Sequence, residues 1–444
     1  MKFGFGKVDI TPRVGVELCG FGPYINRRSI GIRDRLYARA MAVSEGNQTV
    51  VLVSADLVGF VLETTRRIRP LVQAAVGLPE DCVMVHGTHT HSGPNTDPDL
   101  TGWGQLDAPY MEVLPGRVAA ACVQAVRNLQ PGTLSHAEVP CEGIALNREY
   151  DRDAPPLEEV LRDDWRPAMP ERTDRTCHVV KVESGGQMTG FFSYYGCHPV
   201  VCCAETRYIH GDYAGVATNL LEREHPGAVG LFLQGAQGDV NSCVVHKPEP
   251  DSLLALDVIA GRYARVVRQG LAQCRPVKTD VLKSVRRSAT FSRIRPSVEE
   301  LQKALAEQEA KFIAPGATDS NQEIRMATVH VQGLRKLIRG LEAGEPLSPA
   351  TELQGYRIGP LALLGTPFEI FHAVKEEALS QMRSPVPLIL GLTNDLLVYA
   401  TDRTVAARGG YAAQWVPIIL GRLPFAGIHD ELVRALTDLD AALQ

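Results

Sequence analysis

The chain lacks any surplus of positive charge: 46 Lys and Arg stand against 51 Asp and Glu, a formal net charge of −5. Nucleic acids and anionic membrane surfaces are gathered by a basic field, so neither is expected as a partner. No run of about 18 apolar residues occurs, so no helix should span a bilayer and no integral membrane contact is expected. The opening Met1-Lys2-Phe3-Gly4-Phe5-Gly6 lacks the apolar centre of a secretory leader and reads as a Gly-rich strand; taken as the start of the protein, it predicts a cytoplasmic location. Ten cysteines contain no CxxC pair, and the adjacent Cys202 and Cys203 have poor geometry for a shared disulfide. Free, mostly buried thiols in a reducing compartment are the expectation. A G-x-S-x-G turn is absent, which removes the serine-hydrolase elbow. There is no internal repeat and no linker that would divide the 444 residues into two folding units.

What is present is an ordinary globular composition, 45% apolar and 22% charged, enough for a large core. Short apolar runs at 49–58, 82–85, 190–195, 228–233, 360–364 and 387–392 each end in a loop of Gly, His, Asp or Asn. Helical periodicity at 118–128 and 253–271, and a Leu stripe closing the chain, alternate with them. Strands alternating with helices predict an α/β architecture, with functional groups just beyond strand ends. Residues 297–345 hold two charged helical stretches around Pro315-Gly316. They read as a helical hairpin inserted in the catalytic domain, a lid or a contact between copies of the chain in a homo-oligomer. Residues 151–174, crowded with Pro, Arg, Asp and Glu, read as a long exposed loop.

The sharpest local signal is Thr88-His89-Thr90-His91-Ser92-Gly93-Pro94. On extended backbone the two imidazoles point to one side, uncovered by their small neighbours. Alone, such a pair is as often structural as functional. His198 precedes Pro199 and is expected on extended backbone; a lone His there is more often a satisfied polar residue than a ligand. His210-Gly211-Asp212 carries the same bland alternative. Glu369, after Gly365-Thr366-Pro367-Phe368, is expected near a helix start, where a carboxylate also suits the helix dipole. Tyr399 alone suggests packing.

Taken together and in order, several segments resemble the neutral/alkaline (non-lysosomal) ceramidases. They are Gly6-Lys7-Val8-Asp9-Ile10-Thr11-Pro12, the THTHSGP loop, Asn147-Arg148, Gly238-Asp239-Val240, Pro367-Phe368-Glu369 and the stretch from Asn394 to Tyr399. The resemblance spans nearly the whole chain. It implies a mixed-sheet α/β catalytic domain and one Zn²⁺ per chain, held by His89, His198, Glu369 and Tyr399. It further implies that His91 and Arg148 line the active site without binding the metal. The set is chemically coherent, because imidazole and carboxylate suit zinc and leave it electrophilic toward water. A phenol ionises near pH 10, so Tyr399 would bind weakly and be free to stabilise an oxyanion.

Two departures stand out. Cys197-His198-Pro199-Val200 replaces a His-Gly-Thr segment, and Asn241-Ser242-Cys243 follows Gly238-Asp239-Val240 where the family has Ser-Pro-Asn. Asn241 therefore takes the place of a Ser near the reacting group. The family's C-terminal β-sandwich is not evident in the sequence. The expected function is zinc-dependent hydrolysis of an amide by metal-activated water. The expected substrate is a small soluble polar or cyclic amide, with Arg148 and Asn241 favouring a carboxylate or several polar groups near the scissile bond. Ceramide hydrolysis is the first alternative, ester or lactone hydrolysis the second, and a non-catalytic metal-binding scaffold the least favoured.

Overall fold

A computed structural model describes residues 1–151, 155–346 and 348–444. Three sheets meet on a shared core. The first runs Val83–Gly87, Gln48–Ala55, Tyr37–Glu45, Lys2–Asp9, Gln130–Pro131 in spatial order. Its first pair is parallel and the rest antiparallel. The second runs Val229–Gln234, Gln187–Tyr195, Thr176–Ser184, Thr133–Pro140, Arg275–Pro276, again with one parallel pair. The third runs Leu282–Ala289, Thr351–Ile358, Leu361–Gly365, Val386–Leu390. The expected α/β class with mixed sheets is thus observed.

Period-2 alternation explains how the sheets assemble. Phe192 and Tyr194 point into the core shared with Phe3, Phe5, Leu52, Tyr356 and Leu363 of the other two sheets. Their neighbours Phe191 and Tyr195 face the other way, onto the helices Asp212–Glu224 and Glu249–Gln273. The first sheet likewise covers its second face with Leu62–Val76 and Ala108–Arg127. Gly4 permits that contact, since a Cβ there would lie 2.1 Å from the Ala125 carbonyl oxygen. The third sheet is covered by His372–Gln381 and Ile428–Ala442. Among the described residues no helix is long and apolar enough to cross a membrane. All ten cysteines are free, and only Cys82 is not fully buried.

Between residues 297 and 345 two helices, Val298–Glu309 and Gln322–Glu342, lie side by side. Ser297 and Glu300 close a capping box on the first, and Asn321 caps the second. The second helix packs on Val416–Ile419 so closely that a Cβ at Gly333 would lie 1.9 Å from the Ile418 carbonyl oxygen.

Residues 151–174 are less loop-like than expected. Residues 152–154 lie outside the described residues. The rest contains the helical turn Leu157–Val160, and it buries Val160 and Trp165. Arg262 organises it by donating to the carbonyls of Leu161 and Arg162, both at 3.1 Å. Carbonyls pinned by a guanidinium are satisfied without sheet or helix, which sequence periodicity does not register.

Candidate metal centre and active site

Strand ends from all parts of the chain supply the site. The strand Val83–Gly87 delivers His89, whose backbone N–H donates to the Leu57 carbonyl at 2.8 Å. The pair His89 and His91 does not sit on extended backbone: His89 has φ +74°, and the rings meet because the chain turns there. His89 is buried rather than uncovered. Its Nε2 lies 3.2 Å from His91 Nε2. Gly20 makes room for His91, because any Cβ there would lie 2.4 Å from His91 Nδ1, and Gly20 itself has φ +108°. Only glycine meets both demands at low cost.

His198 leaves the strand Gln187–Tyr195 and bridges to Asn241 of the short strand Val240–Ser242. Glu369 is not at a helix start. It lies in the strand Phe368–Ile370, and the following helix begins at His372. Its register partner is Tyr399 in the parallel strand Leu397–Ala400. Gly238 lets the loop after Val229–Gln234 close on this strand, since a Cβ there would lie 2.5 Å from the Glu369 carbonyl oxygen. Asp239 then ties the pieces together, accepting from the His372 N–H at 2.7 Å and from Asn147 Nδ2 at 2.8 Å.

The resulting donor arrangement suits a cation. His89 Nδ1 faces the Val58 carbonyl at 2.7 Å, and His198 Nδ1 faces the Gln237 carbonyl at 2.5 Å. A carbonyl only accepts, so each Nδ1 carries the proton and each Nε2 presents a lone pair. Those lone pairs face one carboxylate oxygen, Glu369 Oε2, at 3.3 and 3.0 Å. With both rings neutral, three acceptors converge on one point, and a bound cation satisfies all of them. The carbonyl behind each ring is the usual outer support of a metal-ligating histidine. Burial depresses His198 to about 4, so it is neutral near pH 7. Burial also pushes the Tyr399 phenol well above its usual range, with Arg148 opposing the shift. The Arg148 guanidinium lies 5.1 Å from the Tyr399 ring centroid and donates to the Gly238 carbonyl.

His91 is close enough to compete for the ion. The ring nitrogens of His89, His91 and His198 form a group within 4.8 Å of one another, and His91 Nδ1 is buried without a partner. A second group, Cys202, His210 and Asp212, suits a cation poorly. The Asp212 N–H donates to His210 Nδ1, which leaves Nε2 as the protonated nitrogen, and Arg27 and Arg33 add positive charge nearby.

His89, His91, Glu369 and Tyr399 line one cavity. Its wall is apolar, built from Leu100, Trp103, Leu396, Val398, Ile419 and Leu420. Asn241 and Arg148 are not among the residues lining it; Arg148 stands behind Tyr399 and opens on an outer cleft with Tyr411 and Trp415. Tyr411 and Asp97 also line the cavity, and sequence reasoning passed over both. The only sequence signals were Gly409-Gly410 before Tyr411 and the turn-forming Asn95-Thr96-Asp97-Pro98.

With this geometry in hand, the likenesses to known proteins fall into place. Residues 1–248 match the family model of the neutral/alkaline non-lysosomal ceramidase N-terminal region. The chain is 25% identical over 263 residues to a neutral ceramidase of Pseudomonas aeruginosa, covering 56% of this chain and 38% of that protein. It is 27% identical over 261 residues to neutral ceramidase A of Dictyostelium discoideum, covering 54% of this chain and 35% of that protein. These alignments therefore span little more than a third of the curated relatives. The crystal structure of the Pseudomonas aeruginosa neutral ceramidase superposes with a TM-score of 0.76 at 19% identity, over 100% of this chain and 74% of that one. At that identity the superposition speaks for the fold, while the sequence match carries the family. The chain belongs to the neutral/alkaline non-lysosomal ceramidase family.

Proposed function

We propose that this protein is a zinc-dependent amidohydrolase acting on a small or moderately sized soluble amide. The observation that carries the proposal is the convergence of two Nε2 lone pairs and the Glu369 carboxylate, each ring braced from behind by a carbonyl. His89, His198 and Glu369 would hold the ion, with Tyr399 as a weaker fourth ligand. Zinc there supplies Lewis acidity and a nucleophile available near neutral pH. Glu369 would stay ionised beside the ion, because an opposite charge at contact distance favours the carboxylate over its protonated form. Tyr399, kept as a neutral phenol by burial, has a proton to donate toward charge developing on the substrate carbonyl oxygen. Arg148 behind it strengthens that donation by its charge. His91 Nε2, at the edge of the same cavity, is the base available to move a proton to the departing amine.

Ceramide is the second reading. It is favoured by the names of the relatives and by the apolar wall of the cavity. The deciding experiment offers purified protein, with zinc quantified, a panel of soluble N-acyl and cyclic amides beside short-chain ceramide in detergent. Turnover on the soluble panel is expected. Turnover of ceramide at a kcat/KM near roughly 10⁴ M⁻¹s⁻¹, with nothing on the soluble panel, overturns the substrate assignment.

A further inference from the structure

Within the cavity wall one group does not belong with its neighbours. Asp97 is 1% exposed and lines the same cavity as His89 and Glu369, beside Leu100, Trp103, Leu396 and Leu420. Its Oδ1 accepts from the Asp99 N–H at 2.8 Å and so caps the short helical turn that begins at Pro98. Its Oδ2 is buried and has no hydrogen-bond partner. A carboxylate oxygen in that state is costly unless a ligand or a water donates to it.

The surroundings offer no internal partner. Arg422 is the cation facing Asp97, but its guanidinium donates to the Leu396 carbonyl at 2.9 Å and to Asp99 at 3.2 Å. Lys336 is paired with Asp99 at 2.6 Å. Asp99 and Asp395 add negative charge, and burial raises the Asp97 carboxyl to about 6. Near pH 8 the group is therefore ionised and buried, with no donor on Oδ2.

We infer that Asp97 is a specificity-determining residue that receives a protonated amine carried on the apolar arm of the substrate. The inference rests on the proposed amide hydrolysis and narrows it to amides whose chain bears an ammonium group away from the scissile bond. The apolar wall accommodates the methylenes in between, and the ammonium supplies both the donor and the charge that Oδ2 lacks. A neutral alkyl chain of the same length fills the wall but leaves the carboxylate unpaired, the situation that gives polar pockets their strongest discrimination.

The test compares monoacetyl hexamethylenediamine with N-hexylacetamide as substrates at pH 8, using wild-type protein and Asp97→Asn. The Asn variant keeps the oxygen that caps the turn and removes the charge. The kcat/KM ratio, amine over alkyl, should exceed unity in the wild type and fall by about tenfold in the variant, the scale of a desolvated charge pair. A fold defect lowers both substrates together and leaves the ratio unchanged. An unchanged ratio, or a wild type that prefers the alkyl amide, overturns the inference. If neither amide is hydrolysed, the inference is judged by binding of n-hexylammonium against hexanol in calorimetry, while the proposed function is judged on the wider amide panel. Preference for the ammonium in wild type, lost in Asp97→Asn, supports it; no preference overturns it.

Discussion

Glu369 and Tyr399 are register partners in a two-stranded parallel ladder. Adjacent strands place such residues on the same side a few ångström apart, so a carboxylate and a phenol separated widely in sequence come to one point. The ladder makes Tyr399 a neighbour of the donor cluster whatever its bond to the ion. Tyr399→Phe is expected to keep most of the zinc and to lose activity by roughly 10²-fold or more. Loss of zinc equal to that in Glu369→Gln would make Tyr399 a principal ligand instead.

Removing either braced imidazole should empty the site. Elemental analysis of the wild type is expected to give near one zinc per chain, and His89→Ala and His198→Ala are each expected to lose most of it. Full retention in both would place the metal elsewhere.

His91 and Arg148 should separate chemistry from binding of the ion. His91→Ala and Arg148→Ala are expected to retain zinc while activity falls by roughly 10²-fold or more. Because His91 Nε2 lies 3.2 Å from His89 Nε2, the geometry permits an exchange of roles. Zinc loss in His91→Ala would show that exchange.

Acid stability should depend on a buried ion cluster away from the site. Arg39 contacts Asp56 at 2.7 Å and Glu222 at 3.1 Å, and Lys7 contacts Glu222 at 2.6 Å. Burial pushes the Glu222 carboxyl up, but Arg39 and Lys7 outweigh it and hold it below the ordinary value. A depressed folded-state value means stability present above the unfolded value of about 4.3 and lost as pH falls through the folded one. Denaturant unfolding of the wild type should therefore weaken below about pH 5, and Glu222→Gln should flatten that dependence. An identical slope in the variant would remove Glu222 from the account.

The helical hairpin should influence the cavity through one close contact. Gly333 lies against the Ile418 carbonyl, next to the cavity residues Val416 and Ile419. Gly333→Ala is expected to cost roughly 1–3 kcal/mol, as overpacking does, and to raise KM more than it lowers kcat. A variant with wild-type stability and kinetics would show that the hairpin and the wall move independently.

The amino-acid sequence by itself determined the parts that depend on neighbours along the chain. Apolar runs at 49–58, 190–195 and 360–364 became strands Gln48–Ala55, Gln187–Tyr195 and Leu361–Gly365, because alternation and β-branched or aromatic content act locally. The helix pair around Pro315-Gly316 was legible for the same reason. His89, His91, His198 and Glu369 were legible as candidates only through a family resemblance, since each residue alone had an ordinary structural reading. Tertiary structure decided the rest. It turned His89 into left-handed backbone, moved Glu369 from an expected helix start into a ladder, and set Asn241 beside His198 but off the cavity wall. It also brought Asp97 and Tyr411 to the cavity without any local motif. The physical reason is that periodicity reports which face of an element is buried, whereas a site is made by the loops that follow. Their directions are set by packing between sheets, by close approaches at Gly20 and Gly238, and by carbonyls that brace the rings from behind.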